Sequence, residues 1–201
     1  YSFTDLAPGT YTVGEVQPAG WQQTFPGSTM PAIERVGLAS SGESVDDYGF
    51  QPSISADGRY VAFQSYLDNL VPGDSNGLSD IFVCDRQTGA LELVSAAYGG
   101  GYADNPSYRP AISADGRYVT FWSGASNLVL GDTNGNPDIF VYDRQLHTME
   151  MASVSIGGGS SAGWEPSISG DGRFVAYVAG DLYVRDRLLR TTTCVSVNAD
   201  G

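Results

Sequence analysis

A twelve-residue block that occurs three times constrains the fold of this chain more than any other feature. The block spans residues 52–63, returns at 110–121 with 10 of 12 positions identical, and returns at 166–177 with 9 of 12 identical. A second block, Asp80–Arg86 in the first unit, follows each copy, and a serine stands ten residues after the second Asp of that block in every unit. The chain is therefore built from three copies of one structural unit.

Each unit predicts four short antiparallel strands. An Asp-Gly pair, Asp57-Gly58 in the first unit, separates the first two apolar runs and is typical of a two-residue hairpin turn. The second and third strands, Tyr60–Phe63 and Ile81–Cys84, are apolar on both faces and need a covering layer on each side. The fourth strands are expected at residues 91–94, 149–152 and 192–195. Radially stacked blades supply the covering layers, so we predict an all-β protein with propeller blades at about residues 50–98, 108–156 and 164–198.

The residues of these blocks resemble a known repeat. Ile-Ser-x-Asp-Gly-Arg-x-Val-Ala-Phe followed by Asp-Ile-Phe-Val-x-Asp-Arg is similar to the TolB-type β-propeller repeat, which is common in bacterial periplasmic and secreted proteins. The resemblance defines a domain of residues 31–201, in which Ile33–Leu38 resembles one extra fourth strand of an incomplete blade. Closed propellers have roughly four to eight blades. Three blades and a strand therefore imply missing sequence, or self-association that completes a ring.

Residues 1–30 have a different character. Leu6, Pro8, Gly9, Tyr11 and Val13 follow a Leu-x-Pro-Gly-x-Tyr-x-Val pattern. This pattern resembles the C-terminal end of a B-type, prealbumin-like module of Gram-positive surface adhesins, which serves as a rigid spacer. The resemblance implies a partial β-sandwich module before the propeller and an extracellular or cell-surface location, with the periplasm as the alternative. An irregular Pro-rich linker that docks on the propeller is the other interpretation.

The charge of the chain excludes two classes of partner. Its net charge is −13, and all ten cations are arginines because the sequence contains no lysine. An acidic surface repels nucleic-acid phosphates and anionic lipid headgroups. No apolar run approaches the roughly 20 residues that span a bilayer. We therefore expect neither nucleic-acid binding nor membrane insertion.

An insert in the first two units is the candidate metal site. Asp57 and Asp80 are 23 residues apart, as are their counterparts in the second unit, whereas the third unit has a separation of only ten. The inserted Asp-x-Asn-Gly-x-x-Asp pattern places oxygen ligands at alternate positions around a glycine turn, which suits a hard cation such as Ca²⁺. The alternative is an Asx-turn loop, in which the same side chains bond their own backbone. The predicted ligands are Asp74, Asn76, Asp80, Asp132, Asn134 and Asp138.

The chain contains no convincing catalytic set, and we expect it not to be an enzyme. Gly159-Ser-Ser-Ala-Gly163 matches a nucleophile-elbow pattern, but it lies in a Gly/Ser-rich link rather than between a strand and a helix. The leading hypothesis is a non-enzymatic structural or interaction module that binds protein partners or itself. The alternatives are the accessory propeller of a secreted hydrolase and a glycan-binding propeller in which Trp122 stacks on a sugar.

Overall fold

The structure, a computed structural model, describes residues 50–159 and 161–196. The chain divides into two compact units, residues 1–34 and 35–201, and all described residues belong to the second. The predicted extra strand at 33–38 and the adhesin-type segment at 1–30 lie outside the described residues.

Twelve strands form three separate four-stranded antiparallel sheets, in which the strands pair in chain order. Blade one contains β1 (Phe50–Ile54), β2 (Tyr60–Ser65), β3 (Asp80–Asp85) and β4 (Ala90–Leu93). Blade two contains β5 (Ser107–Ile112), β6 (Tyr118–Ser123), β7 (Asp138–Asp143) and β8 (Thr148–Met151). Blade three contains β9 (Trp164–Ile168), β10 (Phe174–Ala179), β11 (Asp181–Asp186) and β12 (Thr191–Cys194). The all-β class and the three four-stranded blades predicted from the repeat are confirmed.

The fourth strand of each blade lies one residue earlier than its predicted position, and the serine at the end of the unit explains why. In blade one the hydroxyl of Ser95, not a backbone carbonyl, accepts the hydrogen bond of the Ile81 amide at 3.0 Å. Ser153 and Ser196 accept the amides of Ile139 and Leu182 in the same way. Because a side chain replaces the next ladder partner, regular pairing stops before these serines.

Among the described residues, the two larger buried clusters lie between blades, and a third lies within blade one around Phe63 and Phe82. One buried cluster joins Ile81 and Val83 of blade one to Phe121 and Phe140 of blade two. A second cluster joins blade two to blade three through residues that include Tyr177. These two clusters therefore need two adjacent blades, as in a propeller. Among the described residues, no helix is long and apolar enough to cross a membrane.

Each blade has one sheet surface that is directed toward the following blade, which we call its forward face. Five residues of the second and third strands form it at equivalent register positions in every blade. In blade one they are Tyr60, Ala62, Gln64, Ile81 and Val83; in blade two they are Tyr118, Thr120, Trp122, Ile139 and Val141; in blade three they are Phe174, Ala176, Val178, Leu182 and Val184.

Candidate functional site

The predicted metal-binding residues lie in two matching loops. The insert connects β2 to β3 in blade one and β6 to β7 in blade two, whereas in blade three Gly180 alone connects β10 to β11. Gly77 and Gly135, the glycines of the two patterns, both have φ of +66°. A glycine is required there because this conformation is strained for other residues.

The asparagine side chains of both loops form hydrogen bonds within their own loop and with the Asp that follows it. The Asn76 amide donates to Oδ2 of Asp80 at 2.8 Å, and its carbonyl oxygen accepts the Leu78 amide at 2.8 Å. Asn134 donates to Asp138 at 2.7 Å and accepts the Asn136 amide at 2.6 Å. These contacts to the second following residue are Asx turns. In this arrangement the carboxamide presents a donor, not an oxygen ligand, to the neighbouring carboxylate.

Asp80 and Asp138 each begin a third strand and bind both the inserted loop and the serine at the end of the unit. The second carboxylate oxygen of Asp80 accepts the hydroxyl of Ser95 at 2.6 Å, and that of Asp138 accepts Ser153 at 2.5 Å. Burial raises the pKa of both carboxyls, while these hydroxyls act in the opposite direction. Blade three keeps the corresponding pair although it lacks the insert, with Ser196 donating to Asp181 at 3.2 Å. The Asp–Ser pair is therefore part of the blade itself.

Asp74 differs from its neighbours in its hydrogen bonding. Only 6% of the residue is exposed, and its buried Oδ1 atom has no hydrogen-bond partner. Burial and the nearby charge of Asp80 raise the pKa of its carboxyl, and burial also raises the pKa of Asp132. Within residues 50–159 and 161–196, no three acidic, histidine or cysteine side chains form a group that could hold a metal. The geometry therefore gives the Asx-turn arrangement, and calcium binding stays a prediction.

The carboxylate that ends the third strand of each blade is paired with an arginine of the same blade. Arg59 contacts Asp85 through Nε at 3.0 Å and Nη2 at 2.7 Å, and the other two blades repeat this two-pronged contact. Asp85 also accepts the amide of Gln87 in the following turn. The guanidinium holds the pKa of Asp85 well below its usual range. The repeated Asp residues therefore cap the turn that follows the third strand of each blade.

A contact that the sequence reasoning missed joins consecutive blades. The ring of Tyr60 lies so close beneath Gly116 of blade two that an added Cβ would stand 2.2 Å from a ring carbon. Arg144 of blade two lies over the same ring at 4.4 Å and bonds Glu92 of blade one at 2.8 Å. The only sequence signal was the repetition of these residue types.

The same contact joins blades two and three. Tyr118 lies beneath Gly172, and Arg187 stacks on its ring at 4.3 Å while pairing with Glu150. Close ring–glycine packing thus recurs at both described junctions.

The forward face of blade three is open. Leu182 is 42% exposed, whereas its counterparts Ile81 and Ile139 are fully buried. Phe174 is 38% exposed, and Ala176, Val178 and Val184 are half-buried. All five residues of this face are apolar, although blades one and two each include a polar residue on theirs. This apolar surface is partly exposed, whereas the equivalent surfaces of blades one and two are covered by the blade that follows them.

The nucleophile-elbow pattern lies partly outside the described residues, since it includes residue 160. His147 stands in the turn between β7 and β8, where its Nδ1 atom is 3.0 Å from the hydroxyl of Tyr142. The described residues thus pair this histidine with a tyrosine of its own blade.

Comparison with solved structures identifies the repeat type. TolB from Acinetobacter baumannii is 21% identical, with a TM-score of 0.50 over 73% of this chain and 32% of that chain. A putative TolB from Agrobacterium tumefaciens is 16% identical, with a TM-score of 0.52 over 75% of this chain and 50% of that chain. The propeller domain of the Trilobed protease from Pyrococcus furiosus is 14% identical, with a TM-score of 0.48 over 73% of this chain and 41% of that chain.

This chain therefore spans a third to a half of the length of these structures. No family model and no curated protein matches it. Because the identities are low, the likeness to the two TolB structures extends to the fold alone. The three described sheets are TolB-like β-propeller blades.

Proposed function

We propose that this chain is a non-enzymatic structural and interaction module, located outside the cell or at its surface, that associates with itself through the faces of its blades. The observation that carries this proposal is the open, wholly apolar forward face of blade three. Complete burial of a Leu or Phe side chain stabilises a protein by about 1.5–3 kcal/mol relative to full exposure. Because Phe174 and Leu182 are 38% and 42% exposed, covering them contributes the corresponding part of this stabilisation to association.

The occupant we propose is blade one of a second copy of the chain. At both described junctions a forward face receives a glycine of an Asp-Gly turn together with a strand-one isoleucine of the next blade. Blade one offers the same groups: Ile54 is 57% exposed, whereas its counterpart Ile112 is 8% exposed. A Cβ added at Gly58 would have only atoms of its own blade within 4 Å.

Head-to-tail packing of two copies would repeat an interface that the chain already forms twice. It would place Gly58 of one copy over Phe174 of the other, as Gly116 lies over Tyr60. Two copies would bring six complete blades into one ring, within the range of roughly four to eight in closed propellers. An extracellular or surface location is supported by the adhesin-type resemblance, and the periplasm remains the alternative.

The test is the solution mass of the 201-residue chain, measured by light scattering across a concentration series. We expect a mass of twice 21.2 kDa, and a dimer favoured by added salt because both copies carry a charge of −13. Leu182→Asp should shift the protein to monomer by placing a carboxylate in the apolar face. The matched control is Leu146→Asp, the same change at a leucine that is 63% exposed in the β7–β8 turn.

Two results would contradict the proposal. One is a wild-type chain that stays monomeric at every concentration and salt level, and the other is an unchanged dimer in Leu182→Asp. A monomer would leave the accessory propeller of a hydrolase and the glycan-binding propeller as the alternatives.

A further inference from the structure

A small cavity at the junction of blades two and three is lined by an unusual number of cations. It has a volume of about 180 Å³. Its lining residues are Glu150, Met151, Ala152, Arg185, Arg187 and Arg190. Three of the ten positive side chains in a chain of net charge −13 thus surround one cavity.

Only one of the three arginines has a carboxylate partner. Arg187 pairs with Glu150 and donates from Nη1 to the Gly172 carbonyl at 2.5 Å. Arg185 donates from Nη1 to the carbonyl of Arg190 at 2.9 Å and to the Thr192 hydroxyl at 3.2 Å. In the described part of the chain, no carboxylate pairs with Arg185 or with Arg190. Two guanidinium charges therefore line this cavity without a counter-charge from the described residues.

The preceding junction shows that the blade does not need these two arginines. There the equivalent positions hold Tyr142 and His147, which line a cavity of about 350 Å³ together with residues 96–100 of the link that follows blade one. His147 and Arg190 adopt nearly the same backbone, with φ of +53° and +56°. The inter-blade pair of an arginine with a glutamate is present at both junctions. Of the three blades, only blade three has two cations at these positions.

We infer that this cavity binds a tetrahedral oxyanion, sulfate or phosphate, between Arg185 and Arg190. The guanidinium is a planar fork of donors that matches the oxygens of such an anion. Nε and Nη2 of Arg185 have no hydrogen-bond acceptor within the described residues and remain for the ligand. Met151 and Ala152 add apolar surface beside the two arginines, of which Arg185 is half-buried and Arg190 is exposed.

The experiment follows the arginine Nε–H signals of the full chain by ¹⁵N NMR during titration with sodium sulfate at constant ionic strength. We expect saturable shifts of the Arg185 and Arg190 signals, with the Arg109 signal as an internal reference because Arg109 pairs with Glu165 elsewhere. A second arm uses dextran sulfate. Tighter binding per sulfate group in that arm would identify a sulfate ester of a polymer as the ligand, and equal binding would identify the free ion.

The matched variant replaces both arginines by the residues of blade two, as Arg185→Tyr with Arg190→His. These side chains already occupy the same positions of the same strand and turn, so the fold should be kept, which circular dichroism checks. We expect at least a tenfold loss of sulfate affinity, and no loss in the control Arg109→Gln. Shifts that grow linearly with salt, or an affinity that the double variant retains, would overturn the inference. Because the readout is sulfate binding, its failure is distinct from a failure of the dimer proposal.

Discussion

Adding one methyl group at Gly116 should destabilise the protein through two separable effects. Gly116 has φ of +73°, where an alanine costs roughly 1–2 kcal/mol more than in an ordinary conformation. The new Cβ would also stand 2.2 Å from Cδ2 of Tyr60, and overpacking of a filled core costs about 1–3 kcal/mol. We therefore expect Gly116→Ala to lower the free energy of unfolding by about 2–5 kcal/mol.

The repeat supplies the control that separates the two effects. Gly58 occupies the same turn in blade one with the same φ of +73°, but the nearest side-chain atoms to its Cβ position would be 3.6 and 4.0 Å away. Gly58→Ala should therefore cost only the backbone contribution, about 1–2 kcal/mol. Gly172 should behave like Gly116, because a Cβ added there would stand 2.1 Å from Cδ2 of Tyr118.

Equilibrium unfolding in urea, at protein concentrations where the chain is monomeric, measures these differences. In a Tyr60→Leu background the ring is removed, so Gly116→Ala should then cost no more than Gly58→Ala. Equal losses in Gly58→Ala and Gly116→Ala in the wild-type background would refute the conclusion that the ring–glycine contact holds the blades together.

Three further predictions concern charged groups. Burial, together with the charge of Glu92, raises the pKa of Tyr142 to about 12. Glu92→Gln should lower this pKa, although burial should keep it above the ordinary value for tyrosine. An ultraviolet titration of the tyrosine would measure the change. Arg173 lowers the pKa of Asp186 to about 2 in the folded protein, whereas the pKa of an unfolded Asp is near 4. The pair therefore stabilises the fold above about pH 4, and this stabilisation is lost as the pH falls toward 2. The urea midpoint of Asp186→Asn, measured from pH 5 to pH 2, should fall less steeply than that of the wild type. If the loops bind calcium, added Ca²⁺ should raise the melting temperature of the wild type but not of Asp74→Asn, whereas an unchanged wild-type temperature would leave the loops as Asx turns.

The strands and their order were predictable because they depend on local patterns. The Asp-Gly turns and the apolar runs around them are short-range features, and their threefold repetition removed the ambiguity of any single copy. The error of one residue at the fourth strands arose because Ser95 bonds the strand with its side chain, which a pattern of apolar residues does not reveal.

The role of the inserted loops was not decided by the sequence. Asn76 and Asp80 are as suitable for a cation as for an Asx turn, since a carboxamide offers both an oxygen and a donor. Only the folded loop determines that the amide of Asn76 is directed at Asp80 and that the other oxygen of Asp80 faces Ser95. The serine at the end of each unit was visible in the repeat, but its partner lies fifteen residues earlier and becomes adjacent only through the sheet.

The sequence by itself determined that this chain makes three equivalent four-stranded blades, because alternation and turn chemistry act over a few residues. The tertiary structure alone decided which faces of those blades are covered and which are exposed. The exposure of Leu182 depends on which face of a blade meets a neighbour. Local sequence does not encode that contact, since an apolar residue at the same position of the blade is buried at both described junctions and exposed in blade three, which no described blade follows.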